Sequence, residues 1–385
     1  MLRTLPRAAR YGVWGLLLCA VAWTAAGTSA LAAGKPSARL SPLKVVGTQL
    51  LDSQNKPVHL RGVNVASLEW TSDGEGHILD TVQTAIRDWH VNIIRLPLAQ
   101  DRWFGKASEQ TDEGKAYRAL VRQIVDTCAA QACYILLDLH WSDEGEWGKQ
   151  IGQHKMPDQN SLTFWKDCAR TYKNHPAVLF DLYNEPHDVT WDIWREGGKV
   201  TEKNRRTGDE KTYDAVGMQA LLNAVRGTGA RNVVVAGGLD WAYDFSGILA
   251  GKQLSDPKGH GVLYANHTYP FKGDTVEQWA AKMEAATKTL PVIVSEFGSQ
   301  PSRNGFSDRS EQWVRYVLQV LQDHGWNWTA WDLHPAAGPC LISDWNYTPT
   351  PYFGMWVKQA LLGTLPPYTP PPVLPGGQGT GSARP

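Results

Sequence analysis

Two glutamates carry the clearest chemical signal in this sequence. Glu185 stands in "LFDLYNEPH" (179–187) and Glu296 in "LPVIVSEFG" (290–298), each closing an apolar run. A carboxylate at the end of a buried strand is costly unless it is paired or put to use. Two of them facing each other across a cleft, with no metal ligands at sensible spacing, suit cleavage of a glycosidic bond. One gives a proton to the leaving oxygen; the other stays ionised to stabilise or attack the anomeric carbon. Their surroundings must then hold their pKa values apart. The plainer alternative is a pair of buried glutamates in structural ion pairs with Arg95 or His140.

The elements that would position such a pair follow from hydrophobic patterning. Eight short apolar or β-branched runs recur: "HLRGVNV", "VNIIRLPL", "CYILLDLH", "AVLFDLYNEP", "RNVVVAGG", "GVLYANHTYP", "LPVIVSEFG" and "WNWTAWDL". Amphipathic segments separate them, among them 113–130, 161–174, 212–227, 275–288 and 309–324, with apolar residues at helical spacing. Runs that are apolar throughout indicate strands covered on both faces, as in parallel sheets. Eight strands alternating with helices predict an α/β protein with a single closed (β/α)8 barrel. An open doubly wound sheet is the rival, but no glycine-rich phosphate fingerprint follows the first strand. Chemistry in such barrels gathers at the C-terminal strand ends. There the sequence places Asn64, Arg95, His140, Asn184, Glu185, His267, Tyr269, Glu296 and Trp331. Any one alone reads as a satisfied structural group; together, at the same end of separate strands, they read as a site.

These residues resemble the motifs of glycoside hydrolase family five, the cellulase-type family of clan A. "YNEP" (183–186) is similar to its acid/base motif and "SEFG" (295–298) to its nucleophile motif. Arg95 in "NIIRLP", His140 in "LDLHW", His267 and Tyr269 in "NHTYP", Trp331 in "TAWD" and the first-strand "LRGVN" match in order, over roughly residues 43–362. The resemblance implies a retaining double displacement, with Glu296 attacking the anomeric carbon and Glu185 serving as acid and then base. It further implies that Asn184 donates to the sugar 2-hydroxyl and that Arg95 pairs with Glu296. Tyr269 would bond the nucleophile, His140 and His267 would orient carboxylates and hydroxyls, and Trp331 would stack on a pyranose. The implied substrate is a β-linked polysaccharide or oligosaccharide, first a β-1,4-glucan. Mannan, xyloglucan and exo-acting chemistry share the same core, and an inactivated carbohydrate-binding barrel is the reading from another class. A metal-dependent barrel hydrolase would need His/Asp clusters that "DLH" alone does not supply.

Composition bounds the rest. Apolar residues make up 42% and charged residues 20%, the balance of a globular chain. With 38 basic and 38 acidic residues, nothing suggests nucleic acid or an anionic membrane as partner. The 18 tryptophans against 8 phenylalanines suggest flat apolar faces offered to a ligand. Trp70, Trp103, Trp141, Trp147, Trp191, Trp241 and Trp345 lie on or beside post-strand loops and are candidates, core packing being the alternative for each. The stretches 141–157 and 187–211 are the expected specificity loops. Arg3, Arg7 and Arg10 precede "YGVWGLLLCAVAWTAAG" and an Ala30-Leu31-Ala32 cleavage site, the layout of a secretory leader. Residues 1–33 are therefore read as a signal peptide, 34–365 as the catalytic barrel, and 366–385 as a Pro/Gly-rich tail. Secretion, no membrane anchor, no cofactor and no metal are expected, with the chain acting as a monomer. An oxidising compartment permits disulfides; a Cys128–Cys168 bridge and buried free thiols are both open.

Overall fold

The structure, a computed structural model, describes residues 40–203, 208–301 and 309–369. The expected leader (1–33) and the tail from residue 370 onward lie outside the described residues. Eight parallel strands close into a barrel: β1 (Arg61–Asn64), β2 (Ile93–Ala99), β3 (Tyr134–Trp141), β4 (Val178–Asp181), β5 (Val234–Gly237), β6 (Val262–Thr268), β7 (Val292–Phe297) and β8 (Asn327–Ala330). They neighbour one another in chain order, with β8 pairing back onto β1. All eight predicted strands are present. Among the described residues no helix is long and apolar enough to cross a membrane.

Helices Ile78–Arg87, Lys115–Ala130, Gln159–Thr171, Met218–Gly227, Val276–Thr287, Ser310–His324 and Gly354–Leu362 surround the sheet. Two begin with a capping box, Asp158 with Ser161 and Thr275 with Gln278, so the first-turn N–H groups are met by side chains. The apolar faces of the helices and the outward strand residues form one large core that includes Trp89, Trp103, Trp165 and Trp194. A second, smaller core fills the barrel itself and contains Leu60, Ile93, Leu136, Leu179, Val235, Leu263 and Ile293.

Strand periodicity turns that inner core into the floor of a site. Ile93 and Arg95, Leu136 and Asp138, Leu179 and Asp181, and Ala265 and His267 are each two residues apart, so each pair points the same way. In each pair the apolar member lies deeper and the polar member one layer nearer the C-terminal end. Close strand approach requires Gly62: a Cβ there would sit 1.8 Å from the Ile93 carbonyl oxygen.

Three expectations need correction. Residues 212–216 are not helical; they belong to strand Glu210–Val216, which pairs antiparallel with Gly197–Lys203. The signal was available in "KTYDAV", where Tyr213 and Ala215 alternate as buried positions, and the helix starts only after Gly217. The segment 187–211, expected as a loop, therefore includes one full strand of this hairpin and the first residues of its partner. Finally, Cys128 and Cys168 do not bridge. Cys128, Cys133 and Cys168 are buried thiols in the helix–sheet core. A further hairpin, Lys44–Val46 with Gln49–Leu51, precedes the barrel and places Leu43 and Leu50 against its floor.

Candidate active site

The predicted residues converge at the C-terminal mouth of the barrel. Strand register makes neighbours of Asn64 and Arg95, and of His267 and Glu296. Asn184 and Glu185 come three and four residues after the end of β4, and Tyr269 directly follows β6. Glu185 adopts φ +50°, a left-handed conformation that costs a non-glycine residue about 1–2 kcal/mol. Such strain persists only where the surroundings hold it, and here it aims the carboxyl at the mouth.

Arg95 organises the layer. Its Nη1 donates to Glu296 Oε1 at 2.6 Å and to Asn64 Oδ1 at 3.1 Å; its Nε donates to Asp181 Oδ2 at 2.9 Å. Its Nη2 donates to Asn184 Oδ1 at 2.9 Å and lies 3.0 Å from Asp138 Oδ2. Asn64 in turn donates to the Ser295 and Ala330 carbonyls, tying β1 to β7 and β8. Burial opposes charge on the fully buried Arg95, but Asp138, Asp181 and Glu296 outweigh it, so its pKa stands above the ordinary value. A planar fork with five donors suits this many acceptors; a lysine would not reach them.

The two glutamates share a neighbour. The Glu296 carboxylate accepts from Arg95 on Oε1 and from the Tyr269 hydroxyl on Oε2 at 2.7 Å. Glu185 Oε1 lies 3.0 Å from His267 Nδ1, whose ring reaches Ser295 Oγ with Nε2 at 2.9 Å. Oxygen atoms of Glu185 and Glu296 and this imidazole nitrogen all lie within 4.8 Å of one another. Burial raises the pKa of Glu185 above its usual range despite lowering by His140, Lys272 and Arg95. Burial pushes His267 down to about 3, and Arg95 adds to it against the pull of Glu296. Burial and Arg95 push His140 down to about 3 as well. Both rings are therefore neutral at ordinary pH.

His140 sits between layers. Its Nδ1 lies 2.6 Å from Asp138 Oδ2, and its ring stacks on Trp331 with centroids 5.2 Å apart and planes 13° from parallel. Trp331 is half-buried, with one side backed by the imidazole. Asn184 is more engaged than expected: its Nδ2 donates to Gln153 Oε1 at 2.8 Å and faces His140 Nε2 at 3.3 Å. That amide is thus already directed at two protein groups.

Sequence reasoning missed Gln153, Asp138, Asp181 and Ser295. Asp138 and Ser295 were findable, since they lie two residues before His140 and one before Glu296 on strands already assigned. Gln153 comes from a loop and had no periodic signal. Of the tryptophans offered to a ligand, Trp103 is fully buried and donates to Asp167, so it is core. Trp70, Trp141 and Trp345 stay half-buried, with Trp70 6.5 Å from Trp141 and both Trp70 and Trp345 edge-on to His334. Trp241 is half-buried, stacked on His187 and covered by Lys272.

The family model for cellulase (glycosyl hydrolase family 5) matches residues 51–337. An endoglucanase of Microbulbifer sp. (strain ALW1) is 25% identical over 85% of this chain and 59% of its own length. Endoglucanase E-5 of Thermobifida fusca is 22% identical over 85% of this chain and 65% of its own. The chain thus spans about three fifths to two thirds of these relatives. Among solved structures, a β-glucanase from Saccharophagus degradans in complex with cellotetraose superposes with a TM-score of 0.67. It is 21% identical, and the match covers 85% of this chain and 94% of that one. At that identity the likeness speaks for the barrel fold.

Proposed function

The chain belongs to glycosyl hydrolase family 5, and we propose that it is a secreted endo-β-1,4-glucanase that works as a monomer by retaining double displacement. The observation that carries this reading is the approach of Glu185 and Glu296 oxygens to within 4.8 Å at the strand ends. Retaining enzymes hold their carboxyl groups about 5–5.5 Å apart, whereas inverting ones leave about 6.5–9.5 Å for a water. The relatives named endoglucanase and the cellotetraose bound by the S. degradans structure support a glucan as substrate. The basic-then-apolar leader supports export.

In the first step a Glu296 oxygen bonds to the anomeric carbon while the glycosidic C–O bond breaks. The leaving oxygen takes the Glu185 proton. Arg95 and Tyr269 hold the attacking carboxylate in place. In the second step Glu185, now ionised, takes a proton from water, whose oxygen bonds to the anomeric carbon and releases Glu296. Burial raises the Glu185 pKa and so favours the protonated form that this cycle starts from. Asn184, turned from Gln153 to the sugar, is placed to donate to the 2-hydroxyl.

Reducing-sugar release should be measured on cellulose, mixed-linkage β-glucan, xyloglucan, mannan and xylan, with proton NMR of the first-formed anomer. Release from β-glucans with the β-anomer first, a loss of roughly 10²–10⁴-fold in Glu185→Gln and a larger one in Glu296→Gln are expected. An α-anomer product would overturn the retaining mechanism; selective release from mannan would overturn the substrate.

A further inference from the structure

Away from Glu185 and Glu296, a second group of ionisable side chains joins the loop after β3 to the 197–216 hairpin. His154 is buried, and its Nε2 lies 2.6 Å from the Gln150 carbonyl oxygen. A carbonyl only accepts, so in the neutral ring Nε2 carries the hydrogen and Nδ1 is a bare lone pair. That lone pair faces Glu202 Oε2 at 3.4 Å and Glu144 Oε1 at 3.5 Å, and neither contact closes into a hydrogen bond. Glu144 is buried and Glu202 nearly so. Three electron-rich atoms converging in a buried place repel one another unless something positive lies between them.

We propose that Glu144, His154 and Glu202 form a structural site for a zinc-class divalent cation, fastening the loop after β3 to the hairpin. Zinc takes His nitrogen at about 2.0–2.1 Å and carboxylate oxygen at about 2.0–2.2 Å, so the edge of its tetrahedron is about 3.3–3.5 Å. The His154 contacts to the two carboxylates match that edge. Imidazole among the donors favours zinc and its transition-metal neighbours over calcium or magnesium. Supporting contacts are present too. The Gln150 carbonyl fixes the imidazole, as a partner commonly does for a metal-bound histidine. The Lys155 N–H and Tyr213 hydroxyl donate to Glu202 Oε2 at 3.1 and 3.2 Å. Lys211 Nζ lies 3.4 Å from Glu144 Oε2 and 3.1 Å from Glu146, outside the His154-facing edge. The position has consequences for the active site. Gln153 precedes His154 and bonds the Asn184 amide, and the Lys155 carbonyl accepts from His187 N–H, so the cation would steady both.

The competing occupant is a proton: an imidazolium between two carboxylates. The test uses the full chain, without a polyhistidine tag, stripped with chelator and then titrated with Zn²⁺. Bound metal is measured by elemental analysis and melting temperature by calorimetry. The expected result is one Zn²⁺ per chain that survives in Glu185→Gln and Glu296→Gln, which excludes the catalytic carboxylates as ligands. It should bring a rise in Tm of about 3–6 °C at 100-fold excess over Kd. His154→Ala should abolish both effects, and Glu202→Gln, which keeps the ring and the side-chain volume, should weaken binding at least tenfold. Stoichiometric binding that His154→Ala and Glu202→Gln leave unchanged would overturn the site. So would no binding at 100 µM Zn²⁺; a wild-type Tm that then rises, relative to Glu202→Gln, as pH falls toward 6.5 and levels off below it would identify the occupant as the imidazolium proton.

Discussion

At Glu185, backbone and side chain work against local preference together. Its φ of +50° is unfavourable for a residue with a Cβ, and its carboxyl is taken far enough from water that burial raises its pKa. Both penalties place a carboxyl oxygen 3.0 Å from His267 and close to Glu296. The pH dependence of the reaction follows from the sign of that shift. In the proposed mechanism Glu185 donates a proton in the first step, so kcat/KM should fall as pH rises through its raised pKa. With an aryl glycoside whose leaving group needs no proton, Glu185→Gln should lose that alkaline limb while retaining turnover. A limb that persists unchanged in the variant would mean another group sets it. His267 and His140 are poor candidates for such a group, since burial holds both down to about 3.

At the scale of the element, the strands use their two-residue period to stack an ionic layer on an apolar one. Ile93 lies under Arg95, Leu136 under Asp138 and Leu179 under Asp181, so the apolar layer excludes water from beneath the charges. Burying Arg95 is tolerable only because its donors all find acceptors. The strand contacts leave little tolerance. Gly62→Ala would drive a Cβ to 1.8 Å from the Ile93 carbonyl oxygen, which forces β1 away from β2. The expected outcome is an insoluble protein or one whose Tm falls by more than about 5 °C. Gly227→Ala is the contrast. Gly227 ends a helix, with nothing within 4 Å of its added methyl. Its Tm should hold or rise slightly, because alanine is the better helix former by up to about 1 kcal/mol. Thermal unfolding of the two variants side by side checks the argument; equal effects would sink it.

At the scale of the molecule, the barrel has a working end and a sealed end. The Lys44–Leu51 hairpin puts Leu43 and Leu50 against Leu60, Ile93, Leu136 and Leu179 at the opposite end from the two glutamates. Leu50→Ala should therefore cost about 2–4 kcal/mol of stability while leaving kcat at 25 °C within about twofold. A loss of kcat without a loss of Tm would contradict that division. Much of this was legible in the residues. Strand runs, their order and the polar residues at their ends determined a barrel with Arg95, His140, Asn184, Glu185, His267, Tyr269, Glu296 and Trp331 at one mouth. Hydrophobic period and chain order are local properties, and they carry that much. Tertiary structure alone decided the rest. Gln153 reaches Asn184 from a loop without period, and His154 meets Glu202 across 48 positions of sequence. Cys128 and Cys168 lie buried without bridging, and Trp103 turns inward while Trp70 and Trp141 stay at the surface. Each of these depends on where a loop or side chain packs, and packing is set by partners distant in the chain.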